Sequence, residues 1–411
     1  MRAAEGRAQR PEVAASGHPS VVALVAETLA VQGLGTLAVV ILPAVAPTVA
    51  RDLGVPTSAI GYQVAIEYLA AVLASLLAGA AVATFGPCRT GQISMLLTAG
   101  GCVVASISLL PAVVAGSVFI GSGYGLINPA SSELLIRHGP PNRRNFIFSL
   151  KQTGVPLGGV AAGLLGPRVA LTLGWSAALW MTAAACLLLA ALSQRGRAEL
   201  DRDRAGSRKV VLEAFRALGM VIRTPALRAL ALSSFCFSLV QLCTVTFLVA
   251  LLVEDLRFDL VSAGMVLASV QVAGAVGRIL WGLVADAVRD GLGVLLGLGL
   301  LMAAASAAIA EFAAGGPRAL TVSIFALLGL SAASWNGLYL SEVARQSPAR
   351  EVGATTGAAM FFTFTGVVFG PALFSAVHGA VGSYVRSYGL LVGVALAGAM
   401  MVAALRFKRQ R

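Results

Sequence analysis

Long apolar runs, interrupted at short intervals by small clusters of charge, set the pattern of this chain. Twelve runs are long enough to form membrane-crossing helices: 21–46, 58–84, 90–111, 112–136, 146–167, 174–193, 228–253, 258–285, 292–311, 319–343, 352–377 and 384–405. A bilayer core of about 30 Å needs about 20 apolar residues per helix. The runs are rich in Ala, Leu and Gly and do not alternate, which argues against the strands of a membrane β-barrel. They predict an all-α polytopic membrane protein of 12 transmembrane helices. The first run is longer than the core of a secretory signal peptide, so it reads as an uncleaved first helix.

The pattern repeats. Gly79-Ala-Ala-Val-Ala83 closes the second run as Gly282-Leu-Val-Ala-Asp286 closes the eighth, an offset of 203. Asn128 and Glu133 recur as Asn336 and Glu342, at offsets of 208 and 209. An offset near half the length, kept at polar landmarks, predicts two pseudo-symmetric six-helix bundles. The expected division is a tail at 1–20, a first bundle at 21–193, a linker at 194–227, a second bundle at 228–405 and a tail at 406–411. Within the linker, Val211, Phe215, Leu218 and Ile222 fall at helical spacing. They predict an amphipathic helix on the inner leaflet, or a site for a regulatory partner.

Composition supports the membrane reading: 58% of residues are hydrophobic and only 12% charged. The net charge of +12 raises the question of nucleic acid, but its placement answers it. Of the 30 Lys and Arg residues, 25 fall on the side of the termini and linker and five on the other: Arg51, Arg168, Arg257, Arg318 and Arg386. That asymmetry orients a membrane protein with both termini in the cytoplasm and leaves no case for nucleic-acid binding. The five scattered cysteines have neither disulfide-framework nor zinc-ligand spacing. No Gly-x-x-x-x-Gly-Lys-Ser/Thr loop occurs, so neither nucleotide hydrolysis nor any other enzyme activity or cofactor is expected.

Arg278 is the anomaly. It sits inside the eighth run, eight residues before Asp286, or roughly 12 Å along a helix. A guanidinium near mid-depth costs at least roughly 2.5–3.5 kcal/mol, so it ordinarily faces a watery cavity and holds something negative. Gln271, two turns earlier, is nearly in line with it. The alternative is a structural pair with a helix-end acid, Asp286 or Glu342. Lys151 is a second cation, about one turn into the fifth run, and either lines the same cavity or snorkels to the interface. Glu27 and Glu67 are read as deep acids. A carboxyl in a low-dielectric site can carry a proton at physiological pH, or can rest neutral against a neighbouring helix.

The six-plus-six pattern, the basic linker and Gly-x-x-Ala-Asp at the end of the eighth run resemble the major facilitator superfamily over essentially the whole chain. That family's signature after the second span reads roughly Gly-x-Leu-Ala-Asp-Arg-x-Gly-Arg-Arg. Here Gly79, Gly86 and Arg89 fit, while Ala83 stands in place of the aspartate and Thr84 in place of the first basic residue. The second copy keeps Gly282 and Asp286 and offers Arg289. The resemblance implies that these residues latch helix ends. Glu133 would then partner Arg89, Arg143 or Arg144, and Glu342 would partner Arg289 or Arg350. Phe148–Gly159 opens the fifth span with close-packing glycines and the helix-kinking Pro156. Gly166-Pro167 and Gly366–Pro371 faintly resemble the glycine-proline motif of drug:proton antiporters. An arginine four residues before Gly-Leu-Val-Ala is similar to the eighth-span arginine of monocarboxylate and oxalate:formate transporters, which grips a carboxylate. The aspartate that monocarboxylate transporters place one turn earlier is Gly274 here.

By the same resemblance, the cavity-lining spans carry Gln32, Tyr62, Tyr124, Asn128, Gln241, Trp335, Asn336, Tyr339, Phe361 and Phe364. The expected substrate contacts are Arg278, Gln271, Lys151, Asn128, Asn336, Trp335, Tyr124, Gln241 and Tyr339. The expected protein is a monomeric secondary transporter of a bacterial inner membrane, whose partners are the lipid bilayer and a small organic anion. It would work by alternating access with proton symport or anion exchange. A proton-coupled exporter of hydrophobic compounds is the alternative, and a non-transporting membrane sensor a third reading.

Overall fold

The computed structural model describes residues 20–138, 147, 150–202, 210–312, 316–348 and 352–410. Among them every regular element is helical. The first bundle is built from α1 (Val21–Ala44), its short continuation α2 (Ala46–Leu53), α3 (Ile60–Phe85), α4 (Pro87–Ala105), α5 (Leu110–His138), α6 (Gly154–Leu173) and α7 (Trp175–Leu192). The linker holds α8 (Arg197–Leu200) and α9 (Val210–Arg223). The second bundle comprises α10 (Pro225–Ala250), α11 (Leu260–Val288), α12 (Gly291–Phe312), α13 (Arg318–Ala332), α14 (Trp335–Gln346), α15 (Val352–Val381) and α16 (Tyr384–Gln410).

Local chemistry places the ends. Ser20 caps α1 by accepting from the Ala23 N–H at 3.2 Å. Asp259 caps α11 by accepting from Ser262 N–H at 2.8 Å, and these Ser262 hydrogen bonds hold its carboxyl below the ordinary range. Proline occupies the first turn of α4 and of α10, where its missing N–H costs nothing. Among the described residues, eleven helical segments are long and apolar enough to cross a membrane. The twelfth span is α4, 19 residues long and loaded with Arg89, Thr90, Gln92, Ser94 and Thr98. It is kept in the bundle by close contact with α5, where Gly101 and Gly116 bring the two backbones together.

Two expectations are corrected. The third span ends at Ala105, not at 111, because Ser106–Leu109 turns the chain and the next helix starts at Leu110. The tenth span is two helices, α13 and α14, interrupted at Ala333-Ser334. Ser334 turns its hydroxyl away from its own helix and donates to the Gly274 carbonyl of α11 at 3.2 Å. The amphipathic helix α9 packs on α10 and α15. Val221 is fully buried there, and Thr355 Oγ1 donates to Met220 Sδ at 3.6 Å.

The bundles meet chiefly along α3 with α15 and α6 with α11, and α10 also touches α1, α2 and α3. Their tightest approaches lie away from the linker. Gly61 of α3 sits against Pro371 and Ser375 of α15, and Ser375 Oγ donates to the Ser58 carbonyl at 2.6 Å. Gly163 of α6 and Gly264 of α11 press backbone to backbone, and a Cβ on either would strike the other's carbonyl. Toward the linker end, Leu76, Leu77, Gly79 and Ala80 of α3 are exposed, as are Gly357 and Phe361 of α15. The close inter-bundle contacts named here thus lie toward the far end.

Candidate functional site

Arg278 points at the break in the tenth span. Its Nε donates to the Ala333 carbonyl at 2.9 Å, satisfying one of the acceptors that the end of α13 leaves free. Gly274 and Gly277 make this possible, because their missing side chains let α11 lie against Ala333, Ser334 and Leu330. One turn beyond Arg278, Trp281 Nε1 donates to the Leu330 carbonyl at 3.0 Å. Neither Asp286 nor Glu342 pairs with Arg278. Asp286 is exposed, and among the described residues it makes no ion pair, while Glu342 is bound to Arg345 at 2.9 Å. With Nε anchored, the guanidinium keeps its two amino groups for another ligand.

Lys151 faces the problem from the other bundle. It is 1% exposed, so it does not snorkel. Its ammonium donates to Asn128 Oδ1 at 2.6 Å, and among the described residues no carboxylate pairs with it. An ammonium has three donors, and a neutral amide oxygen offsets little of the cost of burying its charge. Close by, Gln32 of α1 is fully buried with neither amide atom hydrogen-bonded. Tyr124 of α5 packs on Gly35 of α1 and is close enough to Arg278 to interact with it electrostatically across the junction. Gln271 sits at the same junction, its amide against Gly159 of α6.

Other expected contacts lie elsewhere. Trp335 and Tyr339 are fully buried inside the second bundle, where Trp335 Nε1 donates to Gln241 Oε1 at 3.1 Å and Tyr339 O–H to the Ala359 carbonyl at 3.1 Å. Both are core: Trp335 meets Phe237 edge-on and Tyr339 at a tilt. Asn336 is half-buried in the first turn of α14. Glu27 is not deep: it lies in the second turn of α1, half-buried. Glu67 is deep, 1% exposed in α3.

The helix-end latches differ from the expected pairs. Glu133 binds its own helix neighbour Arg137 at 2.7 Å and not Arg89; Arg143, Arg144 and Arg350 lie outside the described residues. Arg289 ends α11 in a left-handed turn (φ 55°), exposed. The missing acid at Ala83 is replaced in space from the linker. Asp201 accepts from Cys88 N–H at 2.9 Å and Arg89 N–H at 3.0 Å, capping α4, with Arg197 at 3.8 Å. Gly86 (φ 90°) admits this carboxylate, since a Cβ there would collide with it. In the second bundle Asp290 does the same for α12, accepting from Gly293 N–H at 2.8 Å and holding Arg406 at 2.8 Å. Sequence reasoning missed Asp201, whose one signal was an acid four residues after Arg197 in a basic linker.

Each bundle thus carries one cation bound to a neutral oxygen, Lys151 buried and Arg278 half-buried. The sequence model of the Major Facilitator Superfamily matches residues 28–371. The chain belongs to this superfamily. An uncharacterized MFS-type transporter of Mycobacterium tuberculosis, found in strains CDC 1551 / Oshkosh and ATCC 25618 / H37Rv, is 26% identical over 194 residues. That match spans 45% of this chain and 42% of the relative, so the chain spans less than half the length of the curated relatives it matches. Among solved structures, a bacterial homolog of the human lysosomal transporter Spinster, inward-facing and occupied, is similar with a TM-score of 0.73 at 13% identity, covering 94% of this chain and 96% of that one. A D-xylose-proton symporter is similar with a TM-score of 0.72 at 15% identity, over 93% and 96%. At such identities the likeness is one of fold. The chain is therefore a multi-pass membrane protein of this superfamily.

Proposed function

We propose that this superfamily member moves a small organic anion, a carboxylate, by alternating access of halves 21–193 and 228–405. Lys151 and Arg278 are its anchors, one from each half, with Tyr124, Asn128, Gln32 and Gln271 around them. The observation that carries the reading is one cation in each half, Lys151 buried and Arg278 half-buried, neither paired with an acid among the described residues. Both are bound only to neutral oxygens, Asn128 Oδ1 and the Ala333 carbonyl, and no acid among the described residues pairs with either. A carboxylate entering between them supplies the missing negative charge, and the free edge of the guanidinium fits its two oxygens. We place the protein in a bacterial inner membrane as a monomer, with termini and linker cytoplasmic on the strength of the Lys/Arg asymmetry. Export of hydrophobic compounds has less support, because Trp335 and Tyr339, which would form its aromatic wall, are buried in the second bundle.

A thermal-shift screen of purified protein against formate, lactate, oxalate, succinate, sugars and cationic dyes tests this. A ligand at 100 times its Kd adds about 2.7 kcal/mol of stability. Stabilisation by a carboxylate, abolished by Arg278→Gln and by Lys151→Gln, is expected. Stabilisation by a sugar or dye alone, or a carboxylate response indifferent to both substitutions, refutes the reading.

A further inference from the structure

The first bundle contains a polar cluster that the anion site does not use. Glu67 lies where α3 and α5 touch, since Gly121 and Gly125 bring the α5 backbone onto the Glu67 and Ala71 carbonyls. Gln63, one turn earlier, donates from Nε2 to Glu67 Oε2 at 2.9 Å and to Ser117 Oγ at 2.7 Å. The Ser117 hydroxyl gives its own proton to the Val113 carbonyl at 2.8 Å and has none left for the carboxyl. Two buried acceptors therefore lack a donor: Glu67 Oε1 and Gln63 Oε1.

Leaving either oxygen unsatisfied is costly, and an ionised carboxylate leaves both. A proton on Glu67 Oε1 turns that oxygen into a donor one helical turn from the Gln63 carbonyl, so one proton answers two orphans. The close approach of α3 and α5 favours so small a guest over a metal cation, which needs several oxygens around it. The titratable groups that interact with Glu67 are Tyr68 on its own helix, Tyr124 on α5 and Cys102 on α4. Among the described residues, no hydrogen bond or ion pair joins Glu67 to Lys151, Arg278 or any side chain of α1, α10 or α15.

We propose that Glu67, with Gln63 as hydrogen-bond acceptor, is a proton-binding site inside the first bundle, separate from the Lys151–Arg278 pair. Binding forms one O–H bond at Oε1 and neutralises the carboxylate; release returns the proton to water. The site lies on α3 just beyond Gly61, where α3 closes against α15, so its charge state acts on the closure of the far end. This coupling rests on the alternating-access reading, whereas the proton site stands without it.

Infrared difference spectra of the full-length protein, titrated with acid and base, test the site without any substrate. A protonated-carboxyl band that titrates, disappears in Glu67→Gln and shifts in Gln63→Leu is expected. The coupling is read by labelling a cysteine introduced at the exposed Leu76, the five native cysteines all being buried. Its labelling rate should change about threefold or more between about pH 5 and about pH 8 in the Glu67 protein, and less than about twofold with Glu67→Gln. No Glu67-dependent band in the wild-type protein overturns the proposal. A sodium-specific rise in melting temperature, against choline, that Glu67→Gln removes also overturns it. A Glu67 band in a protein that binds no carboxylate sinks the anion reading alone; carboxylate binding without the band does the reverse.

Discussion

Lys151 and Asn128, 23 residues apart on two helices of the first bundle, are joined by a 2.6 Å hydrogen bond from ammonium to amide oxygen. The bond orients the lysine without neutralising it, so the charge is held ready at a cost in stability.

Removing that charge should therefore stabilise the empty protein. Lys151→Met, similar in length and apolar, is expected to raise the melting temperature of the purified transporter while abolishing carboxylate binding. The gain should be on the order of 1 kcal/mol, because Asn128 loses its partner. Thermal melts with and without ligand check both halves of the expectation; a lower melting temperature refutes the first.

Arg278→Lys should not substitute for the wild type. The ammonium cannot hold the Ala333 carbonyl and still offer a planar pair of donors, so binding is expected to fall at least about tenfold. Equilibrium binding of whichever carboxylate emerges from the thermal-shift screen measures this.

Closure at the far end depends on Gly163 and Gly264 touching. Gly264→Leu should hold the bundles apart there and shift the population toward the state closed at the linker end. A cysteine at Leu76 is expected to label several-fold more slowly in that background, since the five native cysteines are buried. Unchanged labelling refutes the expectation.

At the start of α11, Asp259→Ala should cost roughly 0.5–2 kcal/mol as the loss of an N-cap. Hydrogen bonds from Ser262 lower the folded-state titration point of Asp259. Its contribution is therefore complete above the unfolded carboxyl value of about 4 and is lost as pH falls through the lower folded value. Melting curves from neutral to acid pH should converge for the two proteins only at the acid end.

The spans were legible because hydrophobic length is a one-dimensional property, and so was the duplication, which repeats polar landmarks in order. Arg278 was legible as a misplaced charge. Its partner was not, because the Ala333 carbonyl is backbone and becomes available only at a helix break, where Ser334 bonds across to α11. The burial of Trp335 and Tyr339 was not legible for a related reason: residue type places an aromatic on a span but does not say which face it occupies. Asp201 lies 115 residues from Gly86, and no local period connects them. Glu67 was visible as a buried acid, but its dependence on Gln63 and Ser117 needed a second helix.

The linker is fastened at both ends, by Asp201 to α4 and by α9 to α10 and α15. Dividing the gene there is then not one operation but two. Two polypeptides separated between Asp201 and Val210 each keep their own fastening and should reassemble into a working transporter when co-expressed. Separated before Arg197, the first half loses the carboxylate that covers α4, and must borrow it back from a chain to which it is no longer joined.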